Sequence, residues 1–319
     1  MRPIALRELA FSSQAGAAAR APAAEVDAAG DPRPVRSPVQ ARDIAMCLTA
    51  IALLLRPMGP WFVRPAILAV AVLMILSPAL LRSALAWGAI AVMVAVRIAD
   101  DWPLADNHVY LLGYWAFAIA LSLRARASAD TLACSSRWLI GLAFVFAVLW
   151  KTMLSPDFLD GRFFRVTLLT DPRFGDAAQL IGGLSSGQLA ANRKALELLP
   201  PGAELLDPPS IAEPARLRLL ASAATWGIVA IEAAVALAML LPAPAVGSSV
   251  RHGALLLFCG TTYLFAPVAG FGWLLLAMGV GQLDDRQTVL RRVYVAAFLV
   301  VIFYGEIPWA GLALDAGRG

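Results

Sequence analysis

The sequence predicts an all-α protein, a polytopic bundle of about eight or nine transmembrane helices with a short extracytoplasmic cap. Of the 319 residues, 60% are hydrophobic and only 15% are charged. The mean hydropathy is +0.73, which is far above that of a soluble domain with a polar surface. The apolar residues also fall into runs long enough to cross roughly 30 Å of hydrocarbon.

The charge of the chain points to membrane topology and not to nucleic acid. The formal net charge is +4, but an excess of Arg in a membrane protein more often reports orientation than an anionic partner. No run of Lys and Arg is interleaved with aromatic residues, so we expect the lipid bilayer and not a nucleic acid as partner.

The sequence also lacks the usual signatures of metal, disulfide and phosphate sites. The three cysteines, Cys47, Cys134 and Cys259, are isolated, and only two histidines are present. We therefore expect no metal site and no disulfide framework. The Gly-x-Gly stretches at residues 270–272 and 279–281 are interpreted as close helix contacts, because they lie within apolar runs.

The first part of the chain differs from the rest in composition. Residues 1–41 are rich in Ala, Pro and Arg and have too little apolar content to order themselves, which predicts a disordered cytoplasmic tail. Residues 42–319 are predicted to form a single transmembrane domain. No apolar core precedes a small-residue cleavage site, so we do not expect a signal peptide.

Nine apolar runs are candidates for membrane spans. They cover residues 43–57, 65–81, 83–99, 108–123, 138–154, 219–241, 251–267, 269–283 and 292–313. The first run is short, and residues 251–283 can also be interpreted as one re-entrant pair. The number of spans is therefore left at eight or nine.

The basic residues of the connections predict the orientation. Lys and Arg accumulate on the cytoplasmic side of short loops, and most connections follow this rule when the basic tail is placed inside. The connection from Arg56 to Arg64 breaks the rule. We predict an integral protein of the cytoplasmic (plasma) membrane with its N-terminus inside and its C-terminus outside.

One predicted outside segment, residues 155–217, is too long for a connection without structure of its own. Within it, residues 185–199 carry leucines at near-helical spacing with polar residues between them. This pattern predicts an amphipathic helix over the mouth of the bundle. Proline-rich residues 200–209 are predicted to end it.

Ionisable groups at membrane depth cost about 3 kcal/mol or more each, so they are functional candidates by default. The candidates in this chain are Lys151, His108, Glu232 and Glu306. Lys151 ends the apolar run that begins at Trp138. A desolvated lysine can lose its proton near neutral pH, so Lys151 is a candidate base.

His108 is predicted to lie on the same outer face as Lys151. Asp106 or Asn107 can cap a helix whose first turn contains His108, and the positive helix end favours a neutral imidazole. A neutral His and a desolvated Lys at one depth form an acid/base pair. The alternative is that His108 is an interfacial cap residue and that Lys151 extends to the lipid headgroups.

Glu232 lies near the middle of its predicted span, and its helical face offers only Thr225 as a polar neighbour. Its carboxyl group must therefore be protonated or find a partner on another helix. A structural hydrogen bond and a catalytic role are equally compatible with this position. Glu306, near a predicted outer end, is interpreted as an interfacial carboxylate.

Three stretches resemble segments of one family. They are DNHVYLLGYWAFAIALSL from residue 106, FVFAVLWKTMLSPDFLDG from residue 144 and WGIVAIEAAVALAMLLPAPAVGSSVRHG from residue 226. The family is that of the vitamin K-dependent gamma-glutamyl carboxylases and the related bacterial HTTM (horizontally transferred transmembrane) proteins. The resemblance covers roughly residues 43–313, although each motif is short.

The resemblance implies a membrane enzyme that oxidises a quinol to drive carboxylation or related chemistry. Its cofactors would be reduced menaquinone or vitamin K, with O2 and CO2 and without a metal, and its substrate a peptide or small molecule with a glutamyl-like group. Lys151 would deprotonate the quinol, with His108 near the reacting groups.

The resemblance implies further site residues besides Lys151 and His108. Asn107, Tyr110 and Trp150 would contact the cofactor, and Glu232 and Asp157 would supply polar contacts to the substrate or the bundle. The alternative is a non-catalytic HTTM-like accessory protein of a secreted-peptide system. A transporter ranks lower, because internal repeats and paired broken helices are not evident.

Overall fold

A computed structural model describes residues 40–125, 127–198, 210–242, 245–265 and 269–307 of the chain. Every regular element in these ranges is helical, which confirms the all-α class. Two predictions fall largely outside the described residues. They are the disordered tail, of which only residues 40 and 41 are described, and the proline-rich end of the amphipathic helix at residues 200–209.

Helices lie at every stretch predicted as a span. The first group comprises α1 (Ala41–Leu55), α2 (Arg64–Leu76), α3 (Pro78–Leu81), α4 (Ala84–Asp100), α5 (Asn107–Ser122) and α6 (Ser128–Leu149). Four short helices follow: α7 (Pro156–Leu159), α8 (Arg162–Thr170), α9 (Gly175–Leu180) and α10 (Ser186–Ala195). The last group comprises α11 (Ala215–Leu240), α12 (Ser248–Phe265), α13 (Ala269–Gly281) and α14 (Thr288–Glu306).

Two of the described helices are long and apolar enough to cross a membrane. One covers residues 129–154, that is α6 with the turn that continues it, and the other is α11. Shorter apolar helices cover Arg64–Leu76 and Gly270–Gly281. The structure thus confirms helices at the predicted spans, whereas a bundle of eight or nine spans stays a prediction.

The long helices pack around one apolar core. Helix α1 packs on α13, α4 on α5, α6 on α11, and α13 on α14. The side chains of Trp87, Trp115 and Tyr294 are fully buried. Trp115 donates a 3.0 Å hydrogen bond from Nε1 to Oγ1 of Thr49, so the polar atom of this buried indole is satisfied.

A second, smaller apolar cluster belongs to the short helices. Phe158, Phe164, Leu168 and Leu189 are buried there together with Leu217 of α11. The short helices therefore pack against the beginning of α11 and form the structured segment predicted between residues 155 and 217.

Helix α10 lies within the stretch predicted as an amphipathic helix, with shorter bounds. Its N-terminus is a capping box, in which Ser185 Oγ accepts from Gln188 N at 3.2 Å and Gln188 Oε1 accepts from Ser185 N at 2.9 Å. On its buried face, Asn192 exchanges two 2.8 Å hydrogen bonds with the backbone of Ala212. These bonds fix α10 to the segment before α11.

Glycines allow two pairs of helices to approach closely. A Cβ added to Gly141 would lie 2.5 Å from Cδ2 and 2.7 Å from Cγ of Leu240, so α6 and α11 touch there. A Cβ at Gly279 would overlap the ring of Tyr294 on α14. The contact at Gly279 agrees with the interpretation of the Gly-x-Gly stretches as helix contacts.

We expect Gly141→Ala to lower the midpoint of thermal unfolding, because the added methyl group overpacks the contact with Leu240 at a cost of about 1–3 kcal/mol. The matched control is Gly88→Ala, since nothing lies within 4 Å of a Cβ at Gly88. That change should leave the midpoint unchanged or raise it, because Ala favours a helix over Gly by about 1 kcal/mol. Equal shifts in the two variants would contradict the close approach.

Candidate functional site

The candidate site lies where α6 ends. Beyond Leu149 the helix continues as one π-helical turn, Trp150–Leu154, and it breaks at Ser155. The break has a local cause, because a proline follows and disfavours helical dihedrals in the residue before it. Single π turns inside or at the end of α-helices are frequent at functional sites, and this one carries Lys151.

Lys151 forms an ion pair with Glu232 of α11. Its Nζ lies 2.7 Å from Oε1 and 2.6 Å from Oε2 of the carboxylate. Only 19% of the Lys151 side chain and 8% of the Glu232 side chain remain exposed. Of the two outcomes open to Glu232 from the sequence, the structure shows the partner on another helix.

The direction of the two helices brings this pair together. Gly141 of α6 meets Leu240 of α11. Lys151, ten residues later in the chain than Gly141, meets Glu232, which is eight residues earlier than Leu240. The helices are therefore antiparallel. Thr225 does not contribute to the pair, since its hydroxyl donates to the Ala221 carbonyl at 2.9 Å.

An aromatic ring lies over the ammonium group. The ring centroid of the buried Phe158 is 5.5 Å from Lys151 Nζ, within the range of a cation–π contact. Phe158 also packs against Phe163 and Phe164, with centroid distances of 5.1 and 5.7 Å. Sequence periodicity could not place Phe158, because it follows the helix break. Its signal in the sequence was the end of the stretch that resembles the carboxylase family, SPDFLDG from residue 155.

The π turn that carries Lys151 also exposes apolar side chains. Trp150 is 61% exposed, Met153 is 74% exposed, and Leu154 is also exposed. The Thr152 hydroxyl donates to the Val148 carbonyl at 2.8 Å and so adds no free polar group there. Three of the five residues of this turn therefore present apolar side chains at the surface.

His108 lies in different surroundings. It occupies the first turn of α5, as predicted, with Asp106 at the N-cap position and Asp106 Oδ2 3.8 Å from His108 Nδ1. His108 lines a cavity with Arg56 and Gly270, and Lys151 is not among the residues that line it. The acid/base pair of Lys151 and His108 stays a prediction, while the structure gives Lys151 a carboxylate partner.

The other candidates are not drawn into the ion pair. Asn107 is exposed and Tyr110 is half-buried on α5, and Trp150 is exposed on the π turn. Asp157 forms an exposed ion pair with Arg162, at 2.6 Å between Oδ1 and Nη2. A direct polar contact of Asp157 with Lys151 is therefore not part of the observed geometry.

Within the described ranges, no group of three or more His, Cys, Asp or Glu side chains is placed so that it could hold a metal ion. The side chain of Glu306 lies outside what the structure describes. No protein-family model, curated protein or solved structure matches the chain. The carboxylase-like family therefore stays a hypothesis that rests on the sequence stretches given above.

We expect Glu232→Leu to lower the free energy of unfolding by about 3–5 kcal/mol, because it leaves the Lys151 charge without its partner. The double variant Lys151→Met with Glu232→Leu removes both charges and should recover most of that loss. The free energy of unfolding of the wild type, the single variant and the double variant is measured by chemical denaturation of the purified proteins.

The exposed pair of Asp157 and Arg162 is the matched control for this cycle. Asp157→Asn should cost no more than about 1 kcal/mol, because water screens exposed ion pairs. A double variant no more stable than Glu232→Leu alone would contradict a desolvated Lys151 charge.

Proposed function

We propose that this chain is a polytopic integral membrane protein whose Lys151–Glu232 pair takes up a proton from a lipid-soluble hydroquinone. The observation that supports this function is the buried contact of 2.6 Å between the ammonium and carboxylate groups next to an exposed apolar surface. The two residues lie on the two helices that meet the length and composition for crossing a membrane. A substrate dissolved in lipid would reach them laterally.

The pair offers a route to a neutral lysine. Burial removes hydration from both charged groups, so the form with an amine and a carboxylic acid lies closer in free energy to the ion pair than it does in water. Transfer of one proton from Nζ to the Glu232 carboxylate yields that form. The neutral amine of Lys151 is then a base, and Glu232 retains the transferred proton.

The second step moves a proton from the bound molecule. The Lys151 amine accepts the proton of a phenolic hydroxyl and becomes an ammonium again, while Glu232 remains a neutral acid. The pair then carries one positive charge, which favours the negative charge left on the bound molecule. Return of the Glu232 proton to solvent restores the ion pair.

The residues around the pair fit an aromatic diol with an apolar tail. Phe158 presents a ring beside Lys151, and Trp150 and Met153 provide exposed apolar contact. Reduced menaquinone or vitamin K, when bound, would supply the two electrons that dioxygen accepts. The resemblance to the carboxylases adds carbon dioxide and a glutamyl-like group as the co-substrates of this proposal.

The same ion pair also favours a second candidate function. Both carboxylate oxygens of Glu232 contact Lys151, so the polar atoms of the pair are satisfied without a ligand. A purely structural role, in which the pair joins α6 to α11, is therefore sufficient to explain it. A non-catalytic accessory protein of a secreted-peptide system would need no more than this. The two candidates differ in whether Lys151 must lose its proton.

Lys151→Arg separates the two functions. A guanidinium can keep the ion pair with Glu232 but cannot be deprotonated, so we expect a near-wild-type unfolding midpoint and a loss of hydroquinone oxidation of at least about 100-fold. The measurement is conversion of reduced menaquinone in air-saturated lipid nanodiscs. Lys194→Arg on α10 is the matched control and should retain activity.

Two outcomes would contradict the proposed function. Turnover by Lys151→Arg at the wild-type rate would exclude Lys151 as the base. A correctly folded wild-type protein that converts no hydroquinone in the presence of carbon dioxide and glutamyl peptide would exclude the oxidation itself and favour the accessory function.

A further inference from the structure

A cavity separate from the ion pair lies where α1 ends and where α5 and α13 begin. It is a small, open cavity, and the roughly 330 Å³ of empty space between its lining residues includes open solvent. The walls are mostly aliphatic, and two polar side chains enter them. The lining residues are Ala52, Leu53, Arg56, Met58, His108, Leu112, Gly270 and Leu274.

Arg56 brings an uncompensated positive charge to this cavity. Its guanidinium makes no hydrogen bond or ion pair with any residue in the described part of the chain. Nearby arginines are engaged, since Arg64 donates from Nε to the Gly59 carbonyl at 3.1 Å and Arg97 pairs with Asp101. Arg56 is thus a cation available to an external anion.

Gly270 gives Arg56 and His108 their place at the cavity. A Cβ at position 270 would lie 3.2 Å from Cδ of Arg56, 3.5 Å from its Nη1, and 3.7 Å from Cδ2 of His108. The Arg56 and His108 side chains therefore lie beside the same glycine and line one largely aliphatic space, while His108 Nδ1 lies 3.8 Å from Oδ2 of Asp106.

We propose that this cavity binds the carboxylate head of an amphiphile such as a fatty acid. Arg56 supplies the charge and the fork of donors that matches a carboxylate, and His108 supplies a second polar contact. The aliphatic walls hold the carbons next to the head. The cavity is too small for a long acyl chain, so the rest of the acyl chain extends out of the cavity.

Exposed apolar residues close in sequence to Arg56 and Met58 favour an amphiphile over a water-soluble anion. Leu55 is exposed at the end of α1, and Trp61 and Phe62 are exposed in the connection that contains Arg56. Exposed aromatic residues of this kind are enriched where a membrane meets water. The connection that breaks the charge rule for loops thus holds its basic residue at a binding cavity.

A photoreactive fatty acid tests this site on the full-length protein in zwitterionic nanodiscs, with the labelled peptides identified by mass spectrometry. We expect labelling near residues 52–62 and 108–112. Laurate should compete, while dodecanol and acetate at the same concentration should not. Competition by dodecanol would show that the site does not recognise the carboxylate. Competition by acetate would show that the site does not recognise the acyl chain. Either result would overturn the proposal.

Arg56→Gln should reduce labelling at least about tenfold, because it removes the guanidinium, the charged donor among the described residues that line the cavity. Arg64→Gln, at the start of α2 and not among the residues that line the cavity, is the matched control and should label like the wild type. Gly270→Val should block labelling by filling the space. Unchanged labelling of Arg56→Gln, or absence of specific labelling in the wild type, would overturn the site.

Discussion

The contact between Lys151 and Glu232 constrains the arrangement of α6 and α11 more than any other interaction described. Two charges buried between apolar helices are tolerated only while they remain together, because either one alone would lose its hydration without compensation. The close approach of Gly141 to Leu240 holds the same two helices together at a second point. Ion pair and glycine contact together set both the distance and the register of the antiparallel pair.

The short helices α7 and α8 complete the site beside Lys151. Gly161 adopts a left-handed conformation with φ +81°, which turns the chain after α7 so that α8 packs back on α11. Arg165 of α8 then pairs with Glu213 at 2.5 and 2.7 Å, just before α11 begins. This turn holds Phe158 over Lys151, so the segment after the helix break belongs to the site as much as the helices do.

Much of this arrangement follows from local sequence, and the rest depends on geometry that local sequence does not carry. Apolar runs predicted the positions of the long helices. Lys151 and Glu232 were each candidates because charge is costly among apolar residues. Their pairing was not predictable, because the two residues are 81 positions apart in the chain and their contact depends on how α6 and α11 are rotated relative to each other. His108 was placed correctly in its helix turn, but its neighbours come from α1 and α13, which periodicity cannot assign.

The π turn at residues 150–154 is the last turn of the helix that begins at Ser128, and it carries Lys151. A helix accommodates one additional residue as such a turn, and each residue of an α-helix advances the direction of its side chain by about 100°. Residues before the turn can keep their packed face towards the core while Lys151 and its neighbours follow a different phase. The direction of the lysine is therefore determined by the number of residues in α6 as well as by their identity, and a change of length by one residue there would act like a substitution of Lys151.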